Sequence, residues 1–409
     1  MSRLRIASIT YDWYPFDIRV RRMAEAAVAG GHVMDVYCLR ESDEPTHETC
    51  GSVCVERLPI RRGFGQSLGA TVLGWIWFLV VSAFAVTRQH LRARYDIVIV
   101  HNMPDFLVFA AAIPKLLGAR VILDVQDVSP ELMSAKASGR KRAVLKRLAI
   151  WQERVSTAFA DHVITVGWPF EQLLLQRGVQ SARLTNILNS ADPRLFPREG
   201  DTLDIRRTPT QDSPYTLVYY GTLARRNGLD TAIRALHIAL PNAPHLRLDI
   251  MGRGEELESL RALAAELDLQ DHVRFSSPCP SEQIVQFALH GDAGIIPYRC
   301  DGFADLVLPT KAYELAWLRR PIIASATPAI QSMFRPQSIS LCDAESPAAF
   351  AQAMVHLYAN PDLRVQMVDS AAQDYDAFRW ERMSERYLTL LDQLGTRPHP
   401  QPVAPAATQ

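Results

Sequence analysis

Apolar runs of strand length alternate with segments whose apolar residues recur at helical spacing, and this alternation passes along the chain twice. In the first half the strand-like runs are RIASIT, HVMDVYCL, DIVIVHN, RVILDVQD, HVITVG and RLTNILNS. In the second they are YTLVYYG, LRLDIMG, VRFSS, AGIIPY, PIIASA and SISLCD. Short apolar runs bounded by turn signals fit strands buried on both faces, and strands separated by helices pair in parallel. The pattern predicts an α/β chain of two Rossmann-like, doubly wound parallel-sheet domains. A length of 409 residues agrees, because a single core rarely grows beyond about 250–300 residues. The boundaries read as 1–195 for the first domain, 196–213 for a linker rich in Pro, Asp and Arg, and 214–379 for the second domain. RWERMSERYLTLLDQL reads as a terminal helix at about 380–395, and the proline-rich 396–409 as a disordered tail.

Formal charge sums to zero, yet residues 1–200 hold 25 Lys and Arg against 19 Asp and Glu, and the remainder the reverse. The first half therefore suits an anionic partner or surface better than the second; no nucleic-acid partner is expected. The six cysteines show neither metal-ligand spacing nor a disulfide framework, and the N-terminus lacks an apolar signal region, so a cytoplasmic chain is expected. Residues 71–86 run for sixteen positions without a charge. A membrane-spanning helix needs about 20 apolar residues, which leaves two readings that can coexist. The run is a buried helix of the first domain, or a helix that places Trp75, Trp77 and Phe78 in a membrane interface with Arg61 and Arg62 at the headgroups. The basic segment 140–154, RKRAVLKRLAIWQER, is either a second lipid-facing helix or an ordinary solvated one.

The first strand-to-helix turn, Tyr11 to Asp17, has no glycine, so it cannot cradle a pyrophosphate as a dinucleotide fold does. Three turns of the second half have what it lacks. YYGTLARRNGLD places Gly221 and Thr222 after a strand and Arg225, Arg226 and Gly228 before a helix. DIMGRGEELESL repeats the arrangement with Gly252, Gly254 and Glu255. LPTKAYE, from Leu308, opens a helix with Lys311 in its first turn and Glu314 three residues on. Amides at that helix start favour phosphate oxygens. Glu314 could accept hydrogen bonds from a ribose diol, or simply pair with Lys311 on the helix surface.

These three motifs, in this order, resemble the nucleotide-sugar half of the GT-B glycosyltransferases of family 4, which carry G-x-L…G, G-x-G-x-E and P-x-K-x-x-E. FDIRVRRMAEAAVAGGHVMDVY, YDIVIVHNMPD and LDVQDVSPEL resemble the acceptor half of the same enzymes. The resemblance implies a donor domain that contacts the nucleotide sugar through Gly221, Thr222, Arg225, Arg226, Gly252, Gly254, Glu255, Leu308, Lys311 and Glu314. It also implies an acceptor side with Asp12, Asp17, Arg19, His101 and Asn102 facing a cleft, and a terminal helix that crosses back to the first domain. The implied reaction is transfer of a sugar, with retention, to a lipid-linked or saccharide acceptor at a membrane surface. No metal or other cofactor is implied. The sequence departs from the family pattern at Gln126, where a His precedes the Asp, and at Leu306, Thr222 and Asn227. Gln126 either orients the sugar by itself, or Asp127 or Glu131 in the same loop handles a proton. Two other readings share the fold: a nucleotide-sugar 2-epimerase, and a member that binds a nucleotide without turning over.

Overall fold

The computed structural model describes residues 3–41, 43–60, 68–131, 139–196, 204–279, 281–300, 302 and 304–395; Arg61, Arg62, residues 197–203 of the sequence-predicted linker and the tail lie outside them. The chain divides into two compact units. Met1–Val166, Phe170–Leu188 and Met383–Gln409 form the first, and Gly167–Pro169 with Asn189–Arg382 the second.

The first unit holds β1 (Arg5–Ile9), β2 (Val33–Leu39), β3 (His47–Cys50), β4 (Val53–Leu58), β5 (Ile97–His101), β6 (Arg120–Val125), β7 (His162–Thr165) and β8 (Leu184–Asn186). Their spatial order is β3-β4-β2-β1-β5-β6-β7-β8, parallel throughout except that β3 runs antiparallel to β4. The β3–β4 hairpin was not among the sequence-predicted strands. Its outer strand, HETC, is polar and exposed and carries no apolar signal. Asp17 caps the helix Ile18–Ala29, accepting from the backbone amides of Arg19 and Val20, a role worth about 1 kcal/mol. The terminal helix Trp380–Gly395 packs onto this unit: a Cβ on Gly30 would lie 2.6 Å from Leu388, and Arg386 donates to the Asn186 carbonyl at 3.0 Å.

The long apolar helix runs Leu68–Arg92, well beyond the predicted 71–86. Its phase corrects the membrane-contact assignment. Phe78 is fully buried and packs edge-on against Tyr11, and Trp75 is half-buried against Phe106, whereas Trp77 is 58% exposed. Residues three or four apart share a helix face, so the core side runs through Phe78, Ser82, Ala85 and Val86.

The second unit is a six-stranded, fully parallel sheet: β9 (Tyr215–Thr222), β10 (Leu246–Arg253), β11 (Val273–Ser276), β12 (Ala293–Ile296), β13 (Ile322–Ser325) and β14 (Ser340–Cys342), in the order β11-β10-β9-β12-β13-β14. Each sheet has a topological switch point, between β1 and β5 in the first and between β9 and β12 in the second. Loops leaving the carboxyl ends of those strands splay apart and leave a crevice for ligands.

Candidate functional site

In the second unit β9 and β10 stay in register to their ends, so that Gly252 faces Gly221 and Arg253 faces Thr222. This close approach requires glycine. A Cβ on Gly252 would sit 1.9 Å from the Gly221 carbonyl oxygen, and one on Gly254 would sit 2.2 Å from that of Leu223. Gly221 itself adopts φ +132°, open only to glycine. The turn is braced from beneath. Asn227, buried, donates to the Tyr219 hydroxyl at 2.9 Å and to the Thr222 carbonyl at 2.5 Å, and Tyr219 also donates to that carbonyl. Asn227 thus holds the loop rather than a ligand. Arg299 braces it from the other side, donating to the Arg225 carbonyl at 2.9 Å and pairing with Asp230 at 2.6 Å and with Glu345. The Arg225 and Arg226 side chains, with Thr222 and Glu255, are exposed.

Lys311 enters from the helix Thr310–Trp317, and its ammonium lies beneath the cradle, 3.1 Å from where a Gly221 Cβ would be. It is 9% exposed and sits over the rings of Tyr219 (4.8 Å) and Tyr298 (5.6 Å). Among the described residues its hydrogen-bond partner is the Tyr298 hydroxyl at 3.3 Å. Burial alone would pull its pKa down, but Tyr298, Tyr219 and Glu314 more than offset this and hold it above the usual value. Lys311 is a buried cation at neutral pH, and such a charge needs anionic partners, of which Glu314 is one. Glu314 follows three residues on, half-buried; burial, with this carboxylate as neighbour, keeps the Tyr220 phenol protonated. Leu308 is half-buried just before the helix. Beside the glycines opens a cavity of about 210 Å³ lined by Tyr220, Thr222, Met251, Arg253, Cys279 and Ile284.

The first unit gathers a different set. At the ends of β5 and β6, Asp124 is fully buried and clamped by Arg19 through Nη2 at 2.6 Å and Nε at 2.8 Å; His101 Nδ1 meets the same carboxylate at 2.8 Å. His101 Nε2 then meets Ser8 at 3.0 Å. Burial would raise the Asp124 pKa, but Arg19 and His101 outweigh it and hold the carboxyl well below its usual range. Arg19 and His101, expected on the acceptor side, are 5% and 2% exposed and spent on Asp124, so they form the floor of the site. Asp17 is likewise committed, as a helix cap, while Asp12 accepts from the Trp13 amide at 2.8 Å.

Above this floor Asn102 organises the 126–131 loop. Its Oδ1 accepts from the Gln126 amide (2.7 Å) and the Asp127 amide (3.3 Å), and its Nδ2 donates to Asp105 and to the Asp127 carbonyl, both at 2.7 Å. The Gln126 side chain donates to Asp124 at 3.2 Å. Glu131, weighed as a proton carrier, turns away: it is buried and paired with Arg177 at 2.6 Å and Lys146 at 3.2 Å. Asp124, the hub of this unit, was not picked out from sequence. It sits inside the apolar run RVILDV and opens the LDVQDVSPEL motif, so the available signals were its place in that motif and a carboxylate at an otherwise apolar strand position.

Comparisons with known proteins fit this geometry. Residues 17–190 match the model described as glycosyl transferase 4-like domain, and residues 201–374 match glycosyl transferases group 1. The chain is a glycosyltransferase of the family 4 type. This glycosyltransferase is 29% identical to the D-inositol 3-phosphate glycosyltransferase of Acidothermus cellulolyticus over 56% of its own length and 53% of the relative's. It is 24% identical to the Thermomonospora curvata protein of the same name over 94% of each chain. Its fold is like that of the sucrose-phosphate synthase of Thermosynechococcus elongatus, with TM-score 0.74 and 19% identity over 96% of this chain and 99% of that one. Anabaena HepE, solved in complex with UDP-glucose, gives TM-score 0.69 at 14% identity over 95% and 100%. The GT-B architecture and the activity class read from the motifs therefore hold.

Proposed function

We propose that this glycosyltransferase takes its sugar from a nucleoside-diphosphate sugar held by the second unit and transfers it, with retention, to a lipid-linked or saccharide acceptor. One observation carries the reading: the buried Lys311 ammonium beneath the Gly221–Gly252 cradle, with Glu314 on the same helix. A diphosphate over the glycines would lie against the Lys311 ammonium, which Glu314 balances in part, and Glu314 accepts from the ribose hydroxyls. HepE, bound to UDP-glucose, is a precedent for such a donor on this fold. Retaining transfer spreads positive charge over the sugar while the diphosphate leaves. The chain's contribution is to stabilise that leaving charge and fix the geometry. Lys311, with Arg225 and Arg226 from the exposed loop, supplies the cations, so turnover is expected to persist in the presence of a chelator. In the first unit Asp124 positions Gln126 to orient a sugar hydroxyl, and Asp127 stands next to it. Six cysteines outside any disulfide suit a reducing cytoplasm.

The test is a turnover panel: UDP-, GDP- and ADP-sugars offered with a prenyl-diphosphate-linked sugar, a free oligosaccharide or inositol 3-phosphate, the last because of the names of the relatives. Transfer in EDTA to one of the first two acceptors, with the donor's anomeric configuration kept in the product by NMR, is the expected result. Inversion, or a requirement for added divalent metal, contradicts the mechanism; transfer to inositol 3-phosphate alone contradicts the acceptor class.

A further inference from the structure

Three neighbouring segments of the first unit leave large apolar side chains in solvent. On the helix Leu68–Arg92 the outward face carries Leu73, Ile76, Trp77, Val80 and Phe84, each 46–70% exposed, opposite the face that enters the core. The helix Gly139–Phe159 repeats the device. Val144, Leu148, Trp151 and Val155 fall at i, i+4, i+7 and i+11, on one helical face, and are 38–66% exposed. Between the two lies the pair of short helices Asp105–Ala111 and Ala112–Leu116, where Leu116 is 85% exposed. The three segments are physically joined. Trp75 meets Phe106 edge-on, Phe109 meets Phe159 at 5.0 Å, and Lys115 donates to the Phe159 carbonyl at 2.7 Å. Scattered exposed apolar residues need no explanation, but adjoining stripes on packed segments make a contiguous patch, which on soluble proteins marks an interaction surface.

The charges choose the occupant. Within 68–92, 105–117 and 139–159 the only carboxylates are Asp105 and Glu153, and both are 1% exposed. The exposed charges on these segments, Arg88, Arg92, Arg147 and Arg154 among them, are all basic, Arg88 pairing with Glu56 of β4 at 3.4 Å. Arg147 and Arg154 each precede a stripe residue, Leu148 and Val155, and so line one edge of that stripe. An apolar face with two exposed tryptophans, bordered by arginines and with no exposed carboxylate on its own three segments, is complementary to an anionic lipid surface: aromatics enter the acyl boundary and arginines meet the phosphates. We infer that this three-segment platform lies flat on an anionic bilayer. The helix Gly69–Arg92 is long and apolar enough to cross a membrane, with a mean hydropathy of 2.0, but Phe78, Ser82 and Val86 are fixed in the core, so it lies along the bilayer rather than through it. The helix Gly139–Phe159, which the sequence left open as a plain solvated helix, is one of the platform's three segments.

The experiment is vesicle flotation of the full chain with phosphatidylcholine alone and with phosphatidylcholine containing phosphatidylglycerol, at low and high salt. The variants are Leu148→Glu/Trp151→Glu on one helix and Trp77→Glu/Phe84→Glu on the other. All four positions are solvent-exposed, so folding is expected to persist, and circular dichroism and urea midpoints check this. The wild type is expected to float with the anionic vesicles and to be partly released by salt, and each double variant to float at least tenfold less. Absence of wild-type flotation with anionic vesicles, or unchanged flotation of the 148/151 variant, overturns the platform. So does a concentration-dependent dimer that the same substitutions abolish, since the patch would then belong to a second copy.

Discussion

Arg19 and Asp124 form a two-pronged pair, Nη2 to Oδ1 at 2.6 Å and Nε to Oδ2 at 2.8 Å, with both side chains at most 5% exposed. Removing one partner of such a pair leaves a buried charge uncompensated, at a cost of about 3–5 kcal/mol. Asp124→Asn should lose that much in urea denaturation at pH 7, and the double variant Arg19→Met/Asp124→Leu distinctly less. Because the Asp124 pKa is depressed on folding, its contribution is present above the unfolded carboxylate value of about 3.9 and is lost as pH falls below it. An Asp124→Asn chain as stable as wild type at neutral pH would remove this pair from the account.

Gly252→Ala is expected to fold but to lose the donor site, since the new methyl would collide with the Gly221 carbonyl. Nucleoside-diphosphate affinity should fall at least about tenfold, because the ends of β9 and β10 can no longer approach each other closely enough to keep the shape of the site. Gly69→Ala, where an added Cβ meets nothing within 4 Å, serves as the control. Equal affinities for the two variants would show that the glycines do not shape the site.

Gln126 is held at its amide by Asn102 and at its side chain by Asp124. An orienting role predicts that Gln126→Ala costs about tenfold or more in kcat through lost alignment. Gln126→His, which keeps a donor and an acceptor, should retain activity, and Asp127→Asn should be the milder change. An Asp127→Asn protein that binds donor normally but is inactive would move proton transfer to that carboxylate.

Glu153 has a raised pKa, about 7, chiefly through burial; Arg177 at 2.7 Å opposes the shift, while Asp105 and Glu131 add to it. A carboxyl whose folded pKa is raised favours the folded state while protonated, and its penalty grows as pH climbs from the unfolded value toward the folded one. Stability should therefore decline between about pH 4.5 and 7, by on the order of 2–3 kcal/mol from this group. Urea midpoints measured across that range should show a shallower decline for Glu153→Gln than for wild type. A parallel decline in both would assign the pH dependence elsewhere.

Both sheets were legible because their central strands, such as β5 (IVIVH) and β12 (AGII), are buried on both faces and read as apolar runs. The donor loops were legible because glycine has few uses at a strand end. The β3–β4 hairpin was hidden by the polar HETC strand, whose residues are mostly exposed. Trp75 and Phe78 were misassigned because an apolar run gives a helix's character without its phase; only the packing of Phe78 on Tyr11 reveals which side faces the core. Arg19 and His101 were found as motif residues, but their role was not, since it depends on Asp124 lying 105 and 23 positions away. Asn227 looked like a missing phosphate ligand until its bonds to Tyr219 and Thr222 showed it holding the loop.

Nucleoside-diphosphate binding by the second unit through Lys311 and Glu314 is measured by calorimetric titration of UDP, GDP and ADP. The wild type should bind one of the three at a single site. Lys311→Met and Glu314→Gln should each weaken that binding by about tenfold to a hundredfold, since a hydrogen bond to a charged group is worth about 1.5–3 kcal/mol. Wild-type protein that binds none of the three, or variants that bind with unchanged affinity, would contradict the account.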